Sequence, residues 1–345
     1  FGVTKPIIIG ASLPLTGEAA SFGIGAKAGI EVALKEINDA GGINGRLLKI
    51  IYEDDKCSKD GVNVMTKFTT MDNVDAIIGP VCSAAAGPGL PIVQQAGVPA
   101  IIIASAPPLT KIGDHIFRIY PSDSFAGRFS AKYITENLKA KKVALVYVQN
   151  DYGQGLADEF RNTLKTLGVD LVVDEGLSMD TTDTKTVVSK IQAVKPDAIY
   201  IPLYPQVALV FLKQLRELGV DAQVIGPDVL ETNEMMSADV AQGTIEIIGK
   251  VDNPQSLKDK VAQVTGENYT NAITSLGYDA VNIYADVMGR VGTDKTAVRD
   301  ALASGSFKAV STPSIEFDEN RDLKTVIYDI KRITNKTSVV IGGSQ

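Results

Sequence analysis

The sequence predicts an α/β protein built as two doubly wound parallel-sheet lobes, each with helices on both faces of its sheet. Three observations carry that expectation. Short apolar runs alternate with helix-length segments along most of the chain, the pattern of βαβ units with right-handed crossovers. The alternation runs to about residue 119 and starts again near residue 142. A length of 345 residues suits two domains.

Residues 6–11, Pro-Ile-Ile-Ile-Gly-Ala, form the continuous apolar run of a strand buried on both faces. A helical pattern over 23–40 closes at Gly41-Gly42, which suits a helix C-cap. Strands are expected near 47–53, 75–79, 100–103 and 116–119, with helices near 59–72 and 84–96. In the second series, strands are expected near 142–148, 170–175, 197–203, 223–227 and 244–248. Helices are expected there near 153–167, 184–194, 206–219 and 233–241. Helical stretches at 255–265, 271–290 and 294–303 follow a completed sheet, so they are expected to pack back onto the first lobe. Pieces near 314–317 and 324–333 are β-like. No flexible Pro-rich or low-complexity tract joins the halves, which predicts a hinge of several short crossings. Residues 1–121 and 250–327 are assigned to lobe 1, and 122–249 and 328–345 to lobe 2.

Composition narrows the function. Lys and Arg total 34 against 41 for Asp and Glu, a formal charge of −7 with no basic run, so no nucleic acid partner is expected. No stretch approaches the roughly 20 apolar residues of a membrane span. The one histidine, His115 in Asp-His-Ile-Phe-Arg, reads as the start of a buried strand, and there is no Cys/His cluster. No metal site, cofactor or catalytic residue is therefore expected, and the protein reads as a non-enzyme. The two cysteines, Cys57 and Cys82, form no CxxC pair, and the topology puts them at the ends of neighbouring strands. One disulfide fits an even count, while two buried thiols remain the alternative. No signal peptide is visible; an exported protein would have lost its leader.

Gly23-Ile-Gly25-Ala-Lys-Ala28 matches a dinucleotide-binding pattern, but residues 12–22, including Pro14 and Gly17, separate it from the strand. That fingerprint needs its first glycine in the turn directly after the strand, so the small residues are read as close helix packing.

The residues just past the C-terminal ends of the strands carry more, because open α/β sheets bind ligands in that crevice. Pro80-Val-Cys-Ser83 follows strand 75–79, placing Ser83 to cap a helix whose leading amides suit a carboxylate. Ile103-Ala104-Ser105 follows strand 100–103 and supplies a second hydroxyl. In the second lobe, Tyr204 follows strand 197–203, and Asp228 ends the run Gly226-Pro227, an acid suited to an ammonium. Tyr152 and Phe22, in strand–helix loops, could wall the pocket with aromatic surface. Hydroxyls and amides in one lobe, with an acid and a tyrosine in the other, match the two ends of an α-amino acid.

Several motifs then act together. They are Ile-Gly-Ala-Ser-Leu-Pro-Leu-Thr-Gly at 9–17, Asn38 to Gly45, Tyr-Glu-Asp-Asp at 52–55 and Ile-Gly-Pro-Val-Cys-Ser at 78–83. Phe117 to Asp123, Asp151-Tyr-Gly-Gln-Gly155 and Gly226-Pro-Asp228 complete the set. Over essentially its whole length the chain resembles the branched-chain (Leu/Ile/Val) amino-acid-binding family of ABC-transporter periplasmic proteins. The resemblance implies the type I binding-protein fold and capture of ligand in an interlobe cleft by hinge closure. It implies ligand contacts from Ser83, Ser105, Tyr204 and Asp228, and a Cys57–Cys82 disulfide. Members often carry Thr where Ser105 stands, Tyr where Phe22 stands and a smaller residue than Ile103; these departures bear on side-chain specificity.

The expected function is therefore that of a periplasmic or lipid-anchored, monomeric binding protein for a neutral aliphatic or branched-chain amino acid. It would deliver its ligand to an inner-membrane ABC permease. The alternatives are a binder of a non-amino carboxylic acid or an amide, or a sensory ectodomain of the same fold. A nucleotide-dependent enzyme built on the 23–28 glycines is the remaining class.

Overall fold

A computed structural model describes residues 5–343. The chain divides into two compact units, residues 1–122 with 251–325 and residues 123–250 with 326–345, so the backbone crosses from one to the other three times. The first unit opens with β1 (Ile7–Leu13), α1 (Ala20–Asp39), β2 (Leu48–Asp54), α2 (Gly61–Thr70) and β3 (Ala76–Ile78). It continues with α3 (Ser83–Gln95), β4 (Ala100–Ile102) and β5 (Ile116–Arg118). The second unit runs through α4 (Asp123–Lys132), β6 (Lys142–Val148), α5 (Asp151–Leu167), β7 (Asp170–Leu177) and α6 (Lys185–Val194). It goes on with β8 (Ala198–Tyr200), α7 (Pro205–Glu217), β9 (Gln223–Pro227), α8 (Asn233–Ser237) and β10 (Ile245–Gly249). The chain then returns to the first unit for α9 (Gln255–Thr265), α10 (Ala272–Val291), α11 (Lys295–Ser304), β11 (Ser306–Lys308) and β12 (Ser314–Glu316). The hairpin β13 (Tyr328–Thr334) and β14 (Thr337–Gly343) closes the second unit.

The first sheet is parallel throughout, in the order β2-β1-β3-β4-β5. Alternate residues of β1 serve opposite faces, as the two-residue period of a strand requires. Ile7, Ile9, Ala11 and Leu13 join α1 and α10 in one apolar cluster, through Ile30, Leu276, Tyr284 and Val287. Ile8 turns to the other cluster, formed by α2 and α3 through Met65, Phe68, Leu90 and Val93. The late helices therefore complete the first unit's core.

The glycines of the 23–28 segment are there for packing. A Cβ on Gly23 would lie 2.0 Å from the Pro14 carbonyl oxygen, and one on Gly25 would lie 2.2 Å from the Asn271 side chain. Gly29, one turn further, would clash with the Thr274 carbonyl oxygen at 1.9 Å. Their partners are the strand–helix loop and the start of α10, rather than the sheet.

The second sheet has the order β14-β13-β10-β9-β8-β6-β7; it is parallel from β10 to β7, and β13 runs antiparallel to both of its neighbours, β10 and β14. The sequence reading gives this lobe five strands and has no counterpart for β14 or α4. Phe160 stacks on Tyr200 at 4.4 Å, and Phe129 of α4 stacks on Tyr328 at 4.9 Å, tying α4 and α5 to one face. The expected helix at 233–241 is two short pieces, α8 and a 3₁₀ turn at Asp239–Ala241.

Both sheets reverse their winding between the first strand and the third, at β1/β3 in one unit and β6/β8 in the other. Strands diverge in connection at such a point, leaving a crevice beyond their C-terminal ends. Of the expected site residues, Ser83 and Ser105 follow β3 and β4, and Tyr152, Tyr204 and Asp228 follow β6, β8 and β9, all past the C-terminal ends of strands; Phe22 lies within α1.

Cys57 and Cys82 are joined as a disulfide with their Cα atoms 5.2 Å apart. The strands they follow are not neighbours, as the sequence reading has them: β1 lies between β2 and β3. The loop after β2 reaches over the end of β1. Asp55 N–H donates to Leu13 O at 3.0 Å, and the Asp55 carboxylate accepts from Ser12 Oγ at 2.7 Å and Cys57 N at 2.9 Å.

Candidate functional site

In the first unit, the crevice is rimmed by the segments after β3 and β4. Gly79 allows the first turn: its φ is +91°, and any Cβ would lie 2.1 Å from Ser12 O on β1. The Pro80 carbonyl then accepts from the amides of Ile103 and Ala104, both at 3.1 Å, locking the two segments together. Cys82 takes the N-cap position of α3 in extended conformation, and Ser83 is the first helical residue, so Ser83 is not the cap the sequence suggests. Its buried hydroxyl oxygen instead accepts from Ala106 N at 3.1 Å. The oxygen is thus committed to a donor, and the Ser83 O–H proton can be directed to an acceptor. The helix's backbone bonds begin at Ala85 and Ala86, whose amides donate to Cys82 O; those of Ser83 and Ala84 precede them and, with the helix dipole, favour an anion.

Ser105 is buried between Ala104 and Ala106 on the same rim. Ile103 packs into the core cluster with Ile101 and Ile119, while Ala104 belongs to the cluster on the opposite face. Phe22 is half-buried in the first turn of α1, since that helix starts at Ala20 rather than beyond the loop. His115 is buried ahead of β5, with Nδ1 2.8 Å from Asp114, on a structural rather than a site position.

In the second unit, Asn150 caps α5 by accepting from Gly153 N at 2.9 Å, which sets Tyr152 in the first turn. Tyr152 Oη donates to Asp228 Oδ1 at 3.2 Å. Tyr204, the N-cap of α7, lies against Tyr152 with ring centroids 5.6 Å apart. Asp228 opens a 3₁₀ turn, and capping of the next helix falls to Thr232, which accepts from Met235 N at 3.2 Å. The cap of α8 is thus Thr232, and the Asp228 carboxylate meets the Tyr152 hydroxyl. Burial, reinforced by the negative charges of Asp228 and Asp123, holds the Tyr152 hydroxyl well above its ordinary pKa. Burial and the same two acids push Tyr204 up to about 12. Both phenols stay neutral and able to donate at physiological pH.

Asp123 is a member that sequence reasoning leaves without a role. It is buried at the start of α4, and its charge reaches Tyr152, Tyr200, Tyr204 and Tyr328 together with that of Asp228. Two carboxylates among four aromatic rings make a cluster that attracts a cation. The available signal is the end of the Phe117–Asp123 motif, an acid in a segment with no recognisable helical period. Among the described residues, no group of three or more His, Cys, Asp or Glu side chains could hold a metal ion.

The profile of a family described as "Periplasmic binding protein" matches residues 6–328. The chain belongs to that family. It is 30% identical to the leucine-, isoleucine-, valine-, threonine- and alanine-binding protein of Pseudomonas aeruginosa, over 94% of this chain and 90% of that one. It is 31% identical to the Leu/Ile/Val-binding protein BraC3 of Rhizobium johnstonii, with the same coverage. Among solved structures, it is similar to the branched-chain amino acid transporter substrate-binding protein LivJ of Streptococcus pneumoniae in complex with isoleucine. That likeness has a TM-score of 0.86 and 27% identity, covering 99% of both chains. All three carry the names of binding proteins, and the chain is a substrate-binding protein rather than an enzyme.

Proposed function

We propose that this protein binds a neutral L-amino acid with an aliphatic or branched side chain and serves an ABC importer. The observation that carries the reading is the contrast between the two units. One offers hydroxyls and helix-start amides, which suit a carboxylate. The other offers Asp228 and Asp123 among tyrosines, which suits an ammonium. Ser83 and Ser105, with the backbone of Ile103 and Ala104, take the carboxylate; Asp228, supported by Tyr152 and Tyr204, takes the ammonium; Phe22 contacts the side chain. The two units close over the ligand, since only then are both of its ends satisfied and water excluded. The names of the relatives support the choice of ligand.

The protein acts as a monomer outside the cytoplasm, free in the periplasm or lipid-anchored, and hands its ligand to an inner-membrane permease. A ligand lacking an ammonium would leave the acidic cluster facing an uncharged group, which is unfavourable when it is buried. A thermal-shift screen over the common amino acids tests the reading. A ligand at 100 times its Kd adds about 2.7 kcal/mol, a readily measured rise in melting temperature. Leucine, isoleucine or valine should give the largest rise; no rise with any amino acid would overturn the reading.

A further inference from the structure

The first unit buries one arginine completely, and nothing in the amino-acid reading uses it. Arg118, the last residue of β5, has no exposed surface. Its Nε donates to Asp322 Oδ1 at 2.7 Å. One terminal nitrogen, Nη1, donates to the carbonyl of Ala106 at 2.7 Å and to that of Ala104 at 3.2 Å, the residues on either side of Ser105. The other, Nη2, reaches Pro107 O and Thr110 Oγ1, each at 3.4 Å. Asp322 is itself held in a tight turn, where its amide donates to Asp318 Oδ1 at 3.0 Å and its carbonyl accepts from Asp318 N at 2.8 Å.

A planar guanidinium can grip two carbonyls and a carboxylate at once, whereas an ammonium offers a point charge on a flexible stem. A buried charge of this kind is often no more stabilising than an apolar replacement, so its place here points to positioning. The Ser105 segment is fixed from both directions. Pro80 O holds the amide of Ala104, Ser83 Oγ holds the amide of Ala106, and Arg118 holds the carbonyls of both. Rotation of the Ser105 peptide planes would break at least one of these bonds.

We propose that Arg118, oriented by Asp322, is a positioning residue that sets Ser105 to donate to the ligand carboxylate. The inference rests on the amino-acid reading of Ser105. It assigns to the Arg118–Asp322 pair, more than 200 residues apart in sequence, an effect on affinity exerted through that one segment.

The test is a double-mutant cycle read by calorimetry with L-leucine, on the full chain. Ser105→Ala should weaken binding by about tenfold in the parent, the loss of one charge-assisted hydrogen bond. In an Arg118→Lys background, itself weakened by about tenfold, Ser105→Ala should cost less than about twofold, because the hydroxyl is no longer aimed. Asp228→Ala serves as the control and should cost the same factor in both backgrounds. Asp322→Asn, which keeps the shape of its side chain, should reproduce the coupling if Arg118→Lys folds poorly. Hydrogen exchange in the ligand-free Asp322→Asn protein should be faster at residues 103–110 than in the parent. An equal cost of Ser105→Ala in all backgrounds overturns the positioning role. No cost of Ser105→Ala in the parent overturns instead the reading of Ser105 on which it rests.

Discussion

The hydroxyl of Tyr152 donates to Asp228 Oδ1 across 3.2 Å, joining the first turn of α5 to the tip of β9. The bond sets a neutral phenol, whose pKa burial holds well above its ordinary value, beside the carboxylate. Asp228→Ala should weaken amino-acid binding by roughly 2–5 kcal/mol, and Tyr152→Phe by about 1 kcal/mol. Binding of the corresponding deaminated acid should change much less in Asp228→Ala. Calorimetry of both variants checks this, and an Asp228→Ala protein within about threefold of the parent would show the assignment wrong.

Ser83 accepts from Ala106 N, and under the proposed function it also donates to the ligand, so its loss should register twice. Ser83→Ala removes a donor to the ligand, weakening binding by roughly 1.5–3 kcal/mol. It also strands the amide of Ala106, whose hydrogen bond to Ser83 Oγ is buried, and should lower folding stability by about 1–3 kcal/mol. Chemical denaturation without ligand separates the two effects; an unchanged midpoint would contradict the second.

The disulfide closes a loop with a sequence separation of 25 residues. Its removal by Cys57→Ala with Cys82→Ala should destabilise the first unit by roughly 3–4 kcal/mol, on loop-closure grounds. Mass spectrometry of the unreduced protein should find no alkylatable thiol, and two free thiols would contradict the pairing.

Glu246 of β10 is fully buried, accepts from Ser338 Oγ at 2.7 Å, and has Lys331 opposite it on β13, itself paired with Glu231. Burial pushes its carboxyl up to about 7. The folded protein therefore keeps the proton to about pH 7, whereas the unfolded chain releases it near its ordinary value of 4.5. This group's contribution to stability falls as pH rises between those values and then levels off. Glu246→Gln should match the parent near pH 4 and exceed it by about 2–3 kcal/mol at pH 8. Melting curves at the two pH values decide the matter; equal differences at both would count against a protonated Glu246.

The parallel strands were legible because burial on both faces leaves uninterrupted apolar runs such as Ile7–Ile9 and Val143–Val148. Two elements were hidden for physical reasons. The fully buried residues of α4 are Asp123, Gly127, Ser130 and Ala131, none of them large and apolar, while Phe125 and Phe129 are only partly buried against the cluster. A Cβ on Gly127 would lie 3.0 Å from Leu156 O, so close approach to α5 demands the small residue. In β14 the apolar residues Val339, Val340 and Ile341 are exposed, and its turn uses Asn335-Lys336 at positive φ in place of a recognisable Asn-Gly. At the site, Ser83, Ser105, Tyr204 and Asp228 could be singled out because each follows a recognisable strand. Asp123 and Arg118 could not, because their roles depend on partners distant in sequence. Arg118 is bound to Asp322, and Asp123 lies among tyrosines of α5, β8 and β13.

The most direct test of amino-acid binding is calorimetry of the unaltered protein with L-leucine, L-leucinamide and 4-methylpentanoic acid. The amide lacks the negative charge that the donors of the first unit would meet, and the acid lacks the ammonium that Asp228 would meet. Leucine should bind at least about a hundredfold more tightly than either, a difference near 2.7 kcal/mol. An amide or a deaminated acid that binds as tightly as leucine would contradict recognition of both ends of an amino acid.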